Sequence, residues 1–288
     1  IGELKGLKFL IEVTSKTLDT DIKSIKKAAR KGVEKELIKR VDEILNKDEI
    51  KLNSENKITW KGNPIASLKK GSSYLSPDIH IIADDSLNEE SKQRLNLFIN
   101  KWLTNHINEV LGDLIKLTKH EIKNQYLRGL LFQLYENNGV VKRNEIDKIV
   151  KSIPSEERKK LWSMGVKLGR YHIYLPKILK PKAVEFRISL WKIFHNLSDK
   201  NKIPKSGLNF LSGTNLEKNF LLLCGFEKFN NFFVRIDILE KLFLKIIENT
   251  KDKKFKINAE MMNLVGCSKE NFYKLMTYMN YKKDKAVD

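Results

Sequence analysis

Apolar residues recur every three or four positions along most of this chain, which predicts a series of amphipathic helices. An apolar patch at Leu7, Phe9, Leu10 and Ile11 comes first. A stripe then runs through Ile22, Ile25, Ala28, Ala29, Val33, Leu37, Val41 and Leu45, with lysines over the remaining faces. A longer stripe joins Leu95, Phe98, Ile99, Trp102, Leu103, Ile107, Val110, Leu111, Leu114 and Leu117, and Ser86 or Asn88 is placed to cap its start. The next, over about 121–135, turns Ile122, Tyr126, Leu127, Leu130, Leu131 and Leu134 inward and stops at Asn137, Asn138 and Gly139. Shorter helices are predicted around 146–150 and 156–162, punctuated by Pro154 and Gly165. An amphipathic helix over 182–195 carries Val184, Ile188, Trp191 and Phe194, with Pro181 at its first turn.

Two segments break this period. Over 49–83, Ile50, Leu52, Ile58, Trp60 and Ile65 stand among Asn, Gly and Pro, and Ile79, Ile81 and Ile82 follow Pro77. Short strands joined by turns are expected there. Residues 165–181 read GVKLGRYHIYLPKILKP, two prolines around a β-branched and aromatic run. A Ser-, Asn-, Gly- and Lys-rich stretch over 197–215 predicts a linker near residue 200. Beyond it, strand-like pieces at 219–226 and 232–234 flank a helix over 235–247. Met261, Met262, Leu264 and Val265, then Gly266, Ser268 and the run Phe272, Leu275, Met276 and Met279 outline a helix-turn-helix, although any corner of two helices shares that outline. The expectation is a mainly α fold. It has a basic helix plus small β unit over 1–85, a helical domain over 86–200, and a helix-turn-helix or winged-helix-like C-terminal unit over 201–288.

Composition sharpens the choice of partner. Lys and Arg number 55 against 36 Asp and Glu, a formal charge of +19 over 288 residues. Such an excess attracts polyanions and releases their counterions. The excess is mostly Lys, with abundant Asn and Ile, so an AT-rich genome competes as its cause. Cys224 and Cys267 form neither a disulfide framework nor a zinc spacing, which fits the reducing cytoplasm. No stretch approaches the ~20 apolar residues of a membrane span. The chain opens on Ile1, and we expect it to be part of a longer protein.

Nucleotide chemistry has no motif here. There is no G-x-x-x-x-G-K-[ST], no DExH box and no G-x-G-x-x-G. Asp84 and Asp85 lead from a strand into a helix cap. The histidines at 80, 106, 120, 172 and 195 show no metal-ligand spacing, and no G-x-S-x-G suggests a hydrolase. No catalytic or metal-binding residue is assigned.

Three stretches carry a resemblance. The first is Trp60-Lys61-Gly62-Asn63-Pro64-Ile65-Ala66 with Gly71. The second runs from Arg128-Gly129 and Phe132-Gln133-Leu134 through Gly165-Val166 and Gly169 to Tyr174-Leu175-Pro176 and Leu179-Lys180-Pro181. The third joins Phe220, Gly225-Phe226, Val234-Arg235-Ile236-Asp237-Ile238-Leu239, Leu264-Val265-Gly266-Cys267-Ser268 and Phe272. Together they resemble the C-terminal portion of superfamily 2 DExH-type ATP-dependent helicases, in particular bacterial relatives of the RNA helicase of the mitochondrial degradosome.

The resemblance implies that RecA-like motor domains outside this chain bind ATP and Mg and hydrolyse the nucleotide, leaving this region without a cofactor of its own. It transfers no catalytic residue. The region would hold single-stranded RNA or DNA, using cations for phosphates and aromatic faces for bases. Arg170, Tyr171, Lys177, Lys180, Lys182 and Arg187 are the candidates around the 165–181 block, with Lys269, Asn271, Tyr273 and Lys274 a second patch. Packed tyrosines and solvated lysines are the competing reading of the same residues. Two other roles compete: a stand-alone winged-helix DNA-binding or regulatory module, and a protein-interaction region that docks a helicase onto a nuclease or ribosome.

Overall fold

A left-handed glycine turns the chain at its start. Gly6 (φ 57°) joins β1 (Gly2–Lys5) to β2 (Lys8–Ile11), and Leu7 beside it is fully buried. The computed structural model describes residues 2–11, 19–47, 49–119, 121–197, 202–214 and 216–284. Helix α1 (Asp19–Lys47) buries Val33, Leu37, Val41 and Ile44, a spacing of four, four and three. Ala28, assigned to the same stripe, is exposed, and the side chains of Ile22, Ile25 and Ala29 lie outside the described residues. Arg40 on α1 donates to the carbonyls of Leu4 and Gly6 at 3.0 and 2.9 Å, which ties the helix to the opening hairpin.

A four-stranded antiparallel meander follows: β3 (Ile50–Leu52), β4 (Lys57–Trp60), β5 (Asn63–Ser73) and β6 (Ser76–Ile81), paired in sequence order. Ile50, Ile58, Trp60, Ile65, Ala66 and Leu68 are the buried residues of its strands. Helix α2 (Glu89–Lys119) starts at Asn88, whose side chain accepts the Ser91 amide, and bends at Leu111, where the backbone leaves helical geometry. These elements up to Ile107, with Ser189–Ser198, form one compact unit.

Asn108–Ile188 and Asp199–Asp288 form a second unit. Asn124 caps α3 (Gln125–Glu136) by accepting the amides of Tyr126 and Leu127. Then come β7 (Val140–Lys142), α4 (Arg143–Ser152), α5 (Ser155–Ser163), β8 (Lys167–Leu168) and β9 (His172–Tyr174). The antiparallel sheet has the order β7-β9-β8. Helix, strand, two helices and a hairpin in this order make the topology of a winged helix, with α4 and α5 as its helix pair and the β8–β9 turn as its wing. A 3-10 turn, Pro176–Leu179, leads into α6 (Pro181–His195).

The rest of the unit contains β10 (Phe210–Ser212), α7 (Lys218–Leu223), β11 (Phe226–Phe229), β12 (Phe232–Arg235), α8 (Ile236–Glu248), β13 (Thr250–Lys251), β14 (Lys254–Phe255), α9 (Ala259–Val265) and α10 (Lys269–Tyr278). Val234, Leu239, Leu242, Met261, Val265, Phe272 and Leu275 share one core cluster.

The fold class differs from the sequence expectation. The chain is about 53% helical and 21% strand, with ten helices and five small antiparallel sheets among the described residues, so it is mixed α/β rather than mainly α. Most of these strands are two to four residues long, too short to display an alternation, and they are set by their turns rather than by their pattern. The winged order also lies at 125–174, not in the C-terminal part. There α9, Gly266 and α10 do form a capped helix pair, but no hairpin follows it among the described residues. The strand-like 219–223 is helix α7. Residues 198–201 and 215, within the expected linker, are outside the described residues. No helix among the described residues is long and apolar enough to cross a membrane.

Candidate nucleic-acid interface

The backbone of the wing turn is held by side chains from two other elements. Glu240, on the inward face of α8 and 3% exposed, accepts three successive amides. Its Oε2 takes the N–H of Arg170 at 2.6 Å, and its Oε1 takes those of Tyr171 and His172 at 2.8 and 2.9 Å. Arg143, the first residue of α4, holds the opposite polarity: its amide donates to the Tyr171 carbonyl at 2.9 Å and its guanidinium to the Gly169 carbonyl at 2.8 Å. A β-carbon on Gly169 would stand 2.4 Å from the Glu240 carboxyl carbon, so only glycine admits this approach.

Next to the turn lies a buried charge cluster. His172 Nε2 is 2.8 Å from Glu227 Oε2, and Lys142 Nζ donates to the other Glu227 oxygen at 2.5 Å. Nδ1 of the same imidazole stands 3.7 Å from Glu240 Oε1, beyond hydrogen-bond length but well within electrostatic reach. Burial is the largest single influence on His172 and disfavours its charge, yet the two carboxylates outweigh it and raise the imidazole above its ordinary value. Burial likewise pushes Glu227 and Glu240 upward. His172 and Lys142 overcome it at Glu227, and His172 with the three wing amides overcomes it at Glu240, so both carboxyls end below the usual range. The cluster is an internally compensated set of charges. Among the described residues, no group of three or more His, Cys, Asp or Glu side chains is placed to hold a metal ion.

A pocket of about 500 Å3 opens beside the turn, lined by Lys142, Arg143, Asn144, Arg170, Tyr171 and Phe229 among others. Arg170 is exposed, with its guanidinium carbon 5.7 Å from the centre of the Phe243 ring. Tyr171 is half-buried and meets Phe243 edge to face, and burial together with Tyr281 pushes its phenol up. Of the sequence candidates, these two therefore share one site.

The others are dispersed. Lys177 is exposed and 3.1 Å from Asp113, and Lys182 is exposed and 3.5 Å from Glu109; exposed pairs of this kind contribute little. Lys180 is exposed on the loop that enters α6. Arg187 requires a correction: it is 0% exposed, and its guanidinium donates to the carbonyls of Asn138 and, at 2.6 Å, Leu223. Its charge is committed inside the protein and offers nothing to a strand. On α10, Lys269 and Tyr273 are exposed, Lys274 pairs with Glu270 at 2.6 Å, and the amide of the half-buried Asn271 is taken by the Ser268 cap.

Lys142, Arg143, Glu227 and Glu240 were not singled out from the sequence. For Glu240 a signal existed, because an acid at an inward position of an apolar helix stripe needs a buried partner. For Glu227, 55 residues from His172, no local signal exists. No protein-family model, curated protein or solved structure matches this chain.

Proposed function

We propose that this chain is a nucleic-acid-binding, non-motor accessory region of an ATP-dependent helicase, which holds and guides a single strand in the cytoplasm. On this reading, ATP and Mg belong to motor domains outside the chain. The observation that carries the binding is the wing: Arg170 projects from a turn whose backbone is fixed from two sides, beside a pocket that Lys142 and Arg143 also line. A cation carried on a rigid turn meets a phosphate without the backbone beneath it having to be ordered first. The formal charge of +19 supplies the long-range attraction. The helicase assignment rests on the resemblance of the three sequence stretches.

The test is fluorescence anisotropy with a labelled 20-nucleotide single strand at 50 and 200 mM salt. Binding should weaken steeply with salt, and Arg170→Ala should lower the salt slope by roughly 0.7, the share of one single-strand phosphate contact. Absence of binding at the lower salt refutes the proposal.

The winged-helix order of 125–174 favours a second reading, a duplex-binding module. Competition decides between the two, since a duplex-binding module prefers an unlabelled duplex over the single strand.

A further inference from the structure

Trp162 is 73% exposed, the most exposed of the large apolar side chains among the described residues. It belongs to α5, the second helix of the winged-helix pair. That helix buries Leu161 and turns Ser155, Glu156, Lys159, Lys160, Trp162 and Ser163 to solvent, with Ser155 and Lys159 on the face of Trp162. The indole contributes little to the core of the unit, whose neighbouring inward position is filled by Leu161 at 0% exposure. A bare indole in water forgoes the burial that usually retains tryptophan.

We infer that the Lys159–Trp162 face of α5 is a base-stacking site for single-stranded nucleic acid, an inference that rests on the nucleic-acid reading above. An indole plane takes one unpaired base of any identity, and Lys159, one helical turn earlier, is placed for the adjoining phosphate. The charge along α5 favours a single strand over a duplex. A duplex-reading second helix brings its N-terminal residues to the base edges between two phosphate backbones. Here the first turn carries Glu156 and Glu157, which repel phosphates, whereas the exposed lysines and the ring lie in the second half of the helix. The other two basic residues of α5 differ: Arg158 is tied to the backbone, and Lys160 is exposed but lies two positions from Trp162, off its face. Arg158 donates to the carbonyls of Ile153 and Lys151, and Lys160 pairs with Glu157 at 2.7 Å. Lys159 is thus the exposed cation that shares a helix face with Trp162.

The experiment compares the full chain with Trp162→Ala and Trp162→Phe, using anisotropy of labelled dT20 and quenching of intrinsic tryptophan fluorescence. Both variants alter an exposed position, and thermal unfolding checks that they remain folded. Loss of a stacked base should weaken binding roughly 5- to 150-fold in Trp162→Ala, with the salt slope unchanged because no charge is removed. Trp162→Phe should recover most of the affinity, and the quenching seen on binding should fall in both variants. If the unmodified chain binds dT20 and Trp162→Ala binds it equally well, the stacking site is refuted while the nucleic-acid reading stands, and the indole is left to a protein contact. A phenylalanine variant no better than alanine also refutes stacking. If the unmodified chain does not bind dT20 at low salt, both readings fall.

Discussion

Replacing Glu240 with glutamine keeps the shape of the side chain and removes one acceptor and one charge. The two carboxylate oxygens currently take three wing amides at 2.6, 2.8 and 2.9 Å. A glutamine retains one carbonyl oxygen. In its better orientation that oxygen serves Tyr171 and His172, and the amide group then points at the Arg170 N–H, donor against donor. An amide left unpaired in a partly buried site costs about 1–3 kcal/mol. The two surviving bonds also weaken, since bonds to an ionised acceptor are about twice as strong as neutral ones. Attraction to the His172 ring is lost, which the relief of desolvating a buried carboxylate partly offsets. The sum is a loss of roughly 2–4 kcal/mol, or about 5–15 °C in Tm for a unit of this size. Urea unfolding of Glu240→Gln, compared at constant m value, measures it. Gly169→Ala attacks the same contact from the other side, and the double variant should lose less than the two single losses combined. A loss below about 1 kcal/mol, or full additivity, refutes the claim that this carboxylate holds the wing.

Two further predictions concern the buried charges. The raised His172 value means that its contribution is complete below the unfolded-state pKa of ~6.5 and fades as pH rises through the folded-state value. The lowered Glu227 and Glu240 values mean that theirs is complete above ~4.3 and fades as pH falls. The stability gap between the unmodified chain and His172→Gln should therefore be widest between about pH 4.5 and 6.5 and narrow toward pH 9; a gap independent of pH contradicts the assignment. Arg187→Lys should cost roughly 3 kcal/mol in denaturant unfolding, because one ammonium cannot span the carbonyls of Asn138 and Leu223 that the guanidinium bridges. Stability equal to the unmodified chain would show that the bridge is dispensable.

The long helices were legible because their buried faces repeat over many turns. Leu95, Ile99, Leu103, Ile107, Leu111 and Leu114 are all buried on α2, as their spacing required. The winged helix was not, since its sheet contains only eight residues in three strands and its identity lies in the order of elements. Within the candidate site, Arg170 and Tyr171 stand out in the sequence because the 165–181 block is locally unusual. Their supports do not, because Glu227 and Glu240 reach the wing from more than fifty residues away. Arg187 was misread for a related reason. Taken with its neighbours on the block it looked like one more cation, whereas its place in the inward stripe with Val184 and Ile188 marked it for burial.

The wing supplies a case in which two physical accounts of binding predict opposite signs. If nucleic-acid affinity comes from net charge alone, Glu240→Gln removes a negative charge and strengthens binding, as neutralising any acid would. If affinity depends on Arg170 being held ready, the same substitution frees the Arg170 amide, lets the turn sample other conformations and weakens binding. Fixing the backbone of one residue at the moment of contact costs about 1–2 kcal/mol, so the expected loss is roughly 5- to 30-fold in Kd. Measured well below the unfolding transition with the labelled strand used above, the sign alone decides. Tighter binding by Glu240→Gln would reduce the buried carboxylate to a stabilising contact and leave the charge of the chain as the source of its affinity. Weaker binding, despite the added positive charge, would tie affinity to the geometry of the wing.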